Sequence, residues 1–576
     1  MQNKIIEVDL SSGDIATLAC PAAYEQLGGR GLTSTIISGE VEPSCHPLSA
    51  ENMVVIAPGL LAGTVLSSSN RLSAGAKSPL TGGIKEANCG GVVAYKLGRL
   101  GIKALKIKGK ADADAGAICI IVDSDGVRLE TLPFLKGGRV YETAERLVQK
   151  FGNRAGFIIT GPAGEMRMPA ACLSVNDPEG EPCRNLGRGG IGAVMGSKGI
   201  KAVIVDDRGV DLSDSGMEEK KAVIKKFASL LRAHPVTGDR FPQYGTAMTL
   251  NAVNSLGGLP TRNFSQGRFE SADRIGGESL YETITSRGGK HAHACMPGCV
   301  IRCSNKYVAR DGSAVVGSLD YETLCLLGSN IGLADLDQVA QLNRLCNEFG
   351  VDTIEIGNAI GVLAEAGVVG FGDYDSIRKI VEELGSGTPL GRLLGSGVAV
   401  CGKAYGVERV PVVKGQGMAA YDPRAIKGLG VTYAKSPMGA DHTAGNAITL
   451  EVDHLDPAVQ LEPMRDLNLK TMVIDTLGLC LFTGRVSLGQ PEIIEEIFAV
   501  YTGQKATFDE MMKTAEACLL REKAFNRQAG LTRFHDRIPD FMQTEKLPPH
   551  DTVFDIADQD LDRFYDFNEK ECEENP

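Results

Sequence analysis

The chain lacks three features that would place it on a charged polymer or in a membrane. It has no cluster of lysine and arginine, no apolar run near the 18 or so residues a spanning helix needs, and no charged-then-apolar leader. Nucleic acid and anionic membrane are bound through concentrated positive charge, so a net charge of −12 without a basic cluster argues against both as partners. A cytoplasmic location is the expectation. No internal repeat is visible. Fifteen cysteines in such a protein point to buried thiols and metal ligands, not to a disulfide framework. Cys119 and Cys518, within apolar runs, read as core packing.

Glycine is in excess. Its 70 of 576 residues make about 12%, against roughly 7% in average usage, and they fall in pairs and triplets where backbone must approach a ligand closely or take positive φ. The length calls for two to four domains. Residues 1–208 read as strands and turns, with hairpins at Lys4–Leu18 and Ile118–Glu130, short strands near 53, 104 and 157, and one clear helix at 141–151. Helical periodicity then takes over at 218–233, 336–349, 354–365, 374–384, 491–501 and 508–525. The expected class is α+β: a β-rich N-terminal domain over 1–208, then two mostly helical domains over 209–410 and 411–576. The acidic tail 566–576 reads as frayed.

Cys295-Met-Pro-Gly-Cys299-Val-Ile-Arg-Cys303 carries the strongest chemical signal. Three thiolates at this spacing converge on zinc or on an iron–sulfur cluster, and both want a fourth ligand. The C-x3-C-x3-C run does not fit the radical-SAM spacing, and structural zinc pairs more often have two-residue gaps. The best remote fourth ligand is Cys480 in Asp475-Thr-Leu-Gly-Leu-Cys480, which would close a [4Fe–4S] site while Asp475 holds a second, larger cofactor.

Other segments have both a chemical and a structural reading. Arg71 with Asn88-Cys-Gly90-Gly91, and Arg184-Asn-Leu-Gly-Arg188-Gly189-Gly-Ile-Gly, form either phosphate cradles of backbone amides and guanidinium forks or plain tight turns. Neither matches a P-loop or a dinucleotide fingerprint. Glu322 opens an apolar run and is either a catalytic carboxylate or a satisfied core group. His442, after Asp441 in a small-residue loop, has the same two readings.

Read together, these segments resemble the tungsten-containing aldehyde:ferredoxin oxidoreductases along almost the full length. The matches run through Lys77-Ser-Pro-Leu-Thr-Gly, Ala87-Asn-Cys-Gly-Gly, Gly187-Arg-Gly-Gly-Ile-Gly-Ala-Val-Met-Gly-Ser-Lys, Tyr244-Gly-Thr-Ala, Asn263-Phe, Tyr321-Glu, Ala420-Tyr-Asp-Pro-Arg424 and Asp475-Thr-Leu-Gly-Leu-Cys-Leu-Phe. The resemblance implies a β domain covering a bis-molybdopterin tungsten cofactor, whose phosphates Mg²⁺ bridges, and two helical domains behind it. It implies Arg71, Asn88, Gly90, Arg188 and Gly189 at the pterin phosphates. Two D-x-x-G-L-(C/D) motifs would hold the pterins: Asp475, Gly478 and Leu479 in the intact second one, Asn347 and Asp352 in the first. Asn347 stands in the first motif where the family has aspartate, an amide that both donates and accepts. Ala292 stands where the archetype's first cysteine would fall, and Cys303 lies on the other side. The E-x-x-H motif for a dimer-bridging iron reads Gln341-Leu-Asn-Arg344, so that metal and that dimer are not expected, although some other homo-oligomer is left open.

The implied activity is oxidation of an aldehyde to a carboxylic acid, with electrons leaving through the cluster to ferredoxin or a ferredoxin-like small subunit. Glu322 would be the general base and His442 would stabilise the substrate oxygen. Two alternatives stand beside it. One is a reductase subunit acting on carboxylic acids or aromatic thioesters, with Cys325, one helical turn from Glu322, near the metal. The other is a non-catalytic iron–sulfur or zinc scaffold.

Overall fold

A computed structural model describes residues 3–112, 116–210 and 217–566, with backbone alone for 217–219. The tail expected to fray lies, from 567 onward, outside the described residues. Strand residues alternate between two faces, and that alternation builds the N-terminal half. Ile6, Val8, Val54 and Ile56 point into one core while Ile5, Val55 and Ala57 point into another. The first sheet has six strands in the order Ile15–Ala19, Lys4–Asp9, Ile102–Lys108, Val54–Pro58, Leu72–Lys77, Ile84–Cys89. The second, also six-stranded, runs Arg184–Leu186, Leu173–Val175, Gly156–Thr160, Ile200–Val205, Ile118–Asp123, Gly126–Thr131. The sheets share one core, where Ile120, Val122, Val203 and Val205 meet Ile6, Val8 and Leu105. On its far side the second sheet carries the helix Val140–Phe151 through Cys119, Ile121 and Leu147.

The far face of the first sheet meets the helices. Gly29–Glu40 lies on it and packs also against Leu461–Leu477 and Phe508–Gln528. The remainder is mostly helical, with Leu336–Phe349 ending at Gly350 in the left-handed conformation (φ 70°). It also contains a three-stranded sheet, Lys290–His293, Ser304–Val308 and Ala314–Gly317, which the helical periodicity did not foretell. Among the described residues, no helix is long and apolar enough to cross a membrane. Gln341 and Arg344 are used within the chain: Gln341 accepts from Tyr374 Oη at 2.5 Å, and Arg344 pairs with Glu348 and lies over the Tyr141 ring.

A buried ion pair joins the two ends of the sequence. Arg30 donates through Nε and Nη2 to Glu522 at 3.0 and 2.7 Å, Ser34 Oγ donates to the same carboxylate at 2.6 Å, and both charged side chains are 1% exposed. Removing one partner strands the other charge, which costs about 3–5 kcal/mol. Glu522→Ala is therefore expected to lower the thermal midpoint sharply, and Glu522→Gln to lower it less. Calorimetric scans that find the alanine variant within a degree of wild type would contradict this.

Candidate active site

The three clustered cysteines sit on a hairpin loop. His293 pairs with Ser304 at its base, so residues 294–303 leave the small sheet and return to it. Ala292 and Arg302, near its ends, have φ of 54° and 52°, a conformation that L residues other than glycine seldom take. Cys295 and Cys299 are buried and Cys303 partly so. Gly91 N donates to Cys295 O at 2.8 Å, and a β-carbon at Gly90 would lie 3.1 Å from Cys295 Sγ. The Asn88-Cys-Gly-Gly strand end is thus pressed directly on the loop.

Cys480 reaches the same place from the other end of the chain. Helix Leu461–Leu477 stops at Gly478 (φ 77°), and the following residues are held by backbone bonds to segment 59–71. Leu60 N and Leu61 N donate to Thr476 O and Leu477 O at 3.1 and 3.0 Å, Arg71 N to Gly478 O at 3.1 Å, and Cys480 N to Ser68 O at 2.8 Å. Ser68 Oγ donates to Cys299 Sγ at 3.7 Å, and Ser67 Oγ accepts from Val300 N at 3.2 Å. One short segment of the β half therefore touches both the loop and Cys480. Burial pushes the Cys480 thiol up to about 11, with Arg71 opposing it. Burial also works against the charge of Arg71, but Cys480, Cys295, Cys89 and Asp475 together outweigh it. The Arg71 guanidinium is held on Asn88 and is favoured as a cation by these sulfurs and Asp475. Among the described residues, no three of these sulfurs come within 4.8 Å of one another.

Beyond Arg71, charged and polar side chains are buried between the β half and the helices. Arg71 passes Nε–H to Asn88 Oδ1, and Asn88 Nδ2 donates to Ser73 Oγ at 3.2 Å. Burial, then the Glu86 carboxylate, pushes the Asp475 carboxyl well above the usual range. On the helical side Asn347 Oδ1 accepts from Asn185 at 3.0 Å, and Asp352 caps its helix through Ile354 N at 3.0 Å. Asp352 also meets Arg188 Nε at 3.3 Å. Arg188 donates further to Ala440 O and Gly417 O, which uses three of its five N–H groups and leaves two. A β-carbon at Gly189 would strike Lys85, whose ammonium forms a buried pair with Asp441. Asp441 in turn caps the turn His442–Ala444.

His442 Nε2 lies 3.5 Å from Glu322 Oε1, and Glu322 Oε2 accepts from Ala420 N at 2.8 Å. Burial raises the Glu322 pKa, with His442 opposing. Tyr421 stacks beside His442 at 5.9 Å and beside Tyr321 at 5.0 Å. Cys325 is fully buried next to Glu322, and burial raises its thiol well above the usual value. Glu86 Oε1, Asn185 Oδ1, Glu322 Oε1, Gln416 Oε1, Tyr433 Oη and His442 Nδ1 are buried without a hydrogen-bond partner. Each such atom costs about 1–3 kcal/mol. A polar, multiply hydrogen-bonding group between the halves would relieve that cost, so the residues present fit a pterin-type cofactor. Lys85, Glu86, Asn185, Gln416 and Tyr433 were not foreseen from the sequence. The Lys85-Glu86 pair, two adjacent charges inside a short strand, was the one available signal.

A β half packed on helices, with charged and polar side chains buried between them and one segment touching both the cysteine loop and Cys480, has the make-up of a redox enzyme. The profile described as "Aldehyde ferredoxin oxidoreductase, N-terminal domain" matches residues 5–207, and that for "domains 2 & 3" matches 222–569. The chain is 31% identical over 575 residues to the tungsten-containing aldehyde ferredoxin oxidoreductase of Pyrococcus horikoshii, covering 95% of this chain and 92% of that one. It is 30% identical over 573 residues to that of Pyrococcus furiosus, at the same coverage. The aliphatic sulfonate oxidoreductase, WOR-like subunit, of Pyrococcus furiosus is 25% identical over 488 residues, or 77% of this chain and 75% of the relative. In fold the chain is similar to the active site complex BamBC of benzoyl coenzyme A reductase with 1,5-dienoyl-CoA: the TM-score is 0.81 at 19% identity over 98% of this chain and 94% of that one. The chain belongs to the aldehyde ferredoxin oxidoreductase family. It is an oxidoreductase of a tungsten-containing family, and the non-catalytic scaffold alternative falls.

A β-carbon at Gly59 would run into the Gly478 backbone, so no side chain fits there without breaking the clasp. Gly59→Ala is expected to lower the thermal midpoint and to speed alkylation of Cys480, read by mass spectrometry. Gly39→Ala, with open space around it, should change neither. Equal alkylation rates in wild type and Gly59→Ala would refute the clasp.

Proposed function

We propose that this enzyme oxidises aldehydes to carboxylic acids at a bis-molybdopterin tungsten centre and sends two electrons through a [4Fe–4S] cluster to a ferredoxin-like acceptor. The observation that carries this is the facing pair Glu322 Oε1 and His442 Nε2, 3.5 Å apart, with Glu322 Oε1 and His442 Nδ1 both buried without a hydrogen-bond partner. In this reading the segment 1–208 covers the cofactor, 209–410 brings the cysteine loop, and 411–576 brings Cys480. Cys295, Cys299, Cys303 and Cys480 hold the cluster. Arg71, Asn88, Gly90, Arg188 and Gly189 on the β side, with Asn347, Asp352, Asp475, Gly478 and Leu479 on the helical side, hold the pterins and their Mg²⁺-bridged phosphates. When bound, the tungsten centre supplies a Lewis acid and a two-electron sink.

The side chains do the rest. Glu322, its Oε2 fixed by Ala420 N, keeps Oε1 free to take a proton from water or from the hydrated aldehyde. His442, held on the turn that Asp441 caps, presents Nε2 to the same spot and donates to the substrate oxygen as negative charge develops. Partial burial of Glu322 raises its pKa and brings it closer to working pH. A reductive role on carboxylic acids or aromatic thioesters has one supporting feature, the buried Cys325 beside Glu322.

Glu322→Gln is expected to retain tungsten and iron while turnover falls by about 10²–10⁴-fold, the usual worth of a general base. Wild-type-like turnover in the loaded variant would remove Glu322 from the mechanism. The base must be ionised, and its folded-state pKa is raised. Activity should thus fall, as pH drops, at a pH above the ~4.3 of a free glutamate. An acid limb at or below that value would contradict the assignment.

A further inference from the structure

Strands Leu173–Val175 and Arg184–Leu186 form a hairpin whose tip lies outside both the sulfur site and the pterin-facing residues. The tip reads Asp177-Pro-Glu-Gly-Glu181-Pro-Cys183, and it leans on the small sheet from which the cysteine loop rises. One ligand atom from each of Asp177, Glu181 and Cys183 lies within 4.8 Å of the other two. The Asp177 carboxylate is fixed in advance. Its Oδ1 accepts from Glu179 N and Glu181 N at 2.8 and 3.0 Å, and His293 Nε2 donates to Oδ2 at 2.7 Å. Glu181 Oε1 accepts from Gly317 N at 2.9 Å.

Cys183 is the unusual member of the set. A buried thiol that serves only packing behaves as a small hydrophobe. This one, 3% exposed, sits among carboxylates: it donates to Asp177 Oδ2 at 3.7 Å and, among the described residues, accepts no hydrogen bond. A β-carbon at Gly317 would lie 2.9 Å from its sulfur and 3.0 Å from both Glu181 oxygens, so the facing strand keeps side chains clear of the thiol and the carboxylate. Burial raises the Cys183 thiol well above its usual range, with Arg184 opposing, so the sulfur keeps its proton until a metal displaces it. The outer side already attracts a cation. Lys306 Nζ meets Glu179, Glu181 and Asp177 at 2.7, 3.1 and 3.5 Å. Its side chain is 22% exposed, and its flexible stem lets the ammonium turn out to solvent.

We infer that Asp177, Glu181 and Cys183 form a zinc site, with His293 orienting the Asp177 carboxylate. One thiolate, two carboxylates and a water make up a four-coordinate zinc shell, whereas calcium and magnesium call for oxygen ligands and leave the thiol unused. On binding, the Cys183 thiol gives its proton to solvent and Lys306 swings outward. His293 also pairs with Ser304 at the base of the cysteine hairpin, so the ion ties the second sheet to the frame of that loop. The site stands apart from the reading of the reaction, because none of its residues belongs to the proposed cluster, pterin or substrate contacts.

The test uses the full chain, purified without oxygen, stripped of loose metal by a chelator and titrated with zinc chloride. Wild type is expected to take up about one zinc per chain while its iron and tungsten content stays unchanged. Zinc-edge X-ray absorption should show a single sulfur neighbour at about 2.3 Å. Cys183→Ser should lose this uptake, and Cys20→Ser, a thiol outside the set, should keep it. Lys306→Met, which removes the competing ammonium, should bind zinc about tenfold more tightly. Zinc should also raise the thermal midpoint of wild type and leave that of Cys183→Ser where it is. Four sulfur neighbours would put the zinc in the cysteine loop and overturn the site. Equal uptake by wild type and Cys183→Ser would overturn it too, as would no uptake by either wild type or Lys306→Met.

Discussion

Four backbone hydrogen bonds between segment 59–71 and residues 476–480 hold the two ends of this chain together where its chemistry is expected. They depend on two glycines in contact, because a β-carbon at Gly59 has no room against Gly478. Through them a β-sheet loop fixes both Asp475 and Cys480, and Ser68 extends the same contact to Cys299. Backbone bonds of this kind cannot be shifted by side-chain rotation. The spacing between the sulfur site and the pterin motif is therefore set by the main chain, which suits electron transfer that must not wait on conformational change.

The electrostatics follow from that clasp. Arg30, Arg71, Lys85 and Arg188 bring positive charge into an interior that also holds Glu86, Asp352, Asp441 and Asp475. Arg30 and Lys85 are neutralised by Glu522 and Asp441 within the protein. Arg71 instead faces the cysteines, and Arg188 keeps two donors in hand. Arg188, although paired with Asp352, thus has N–H groups of the kind that suit a phosphate oxygen.

Much of this was legible in the sequence where chemistry is concentrated in one stretch. The cysteine loop, the Asp475–Cys480 motif and the long amphipathic helices carry their signals in local spacing. The strands near 4, 15, 53, 104, 118, 127 and 157 announced themselves as short apolar runs bounded by turns, as in Ile118–Asp123, while Leu72–Lys77, Ile84–Cys89, Leu173–Val175, Arg184–Leu186 and Ile200–Val205 stayed hidden. The helix Gly29–Glu40 was hidden as well. It begins Gly-Arg-Gly and continues through Thr-Ser-Thr-Ile-Ile, poor helix formers that only burial between the first sheet and two other helices holds in place. The small sheet that frames the cysteine loop was hidden for a related reason, since its strands are short and two of four residues in Lys290–His293 are histidine. The unpartnered atoms of Glu86, Gln416 and Tyr433 come from three separate segments. No local spacing could have joined them.

The central claim is that a cluster and a heavy-metal pterin centre share one interior. It is tested most directly by elemental analysis with electron paramagnetic resonance on protein purified without oxygen. About one tungsten and about four iron atoms per chain are expected, with the reduced cluster signal appearing on addition of an aldehyde. Zinc in place of iron, or iron without tungsten in an otherwise folded protein, would contradict it.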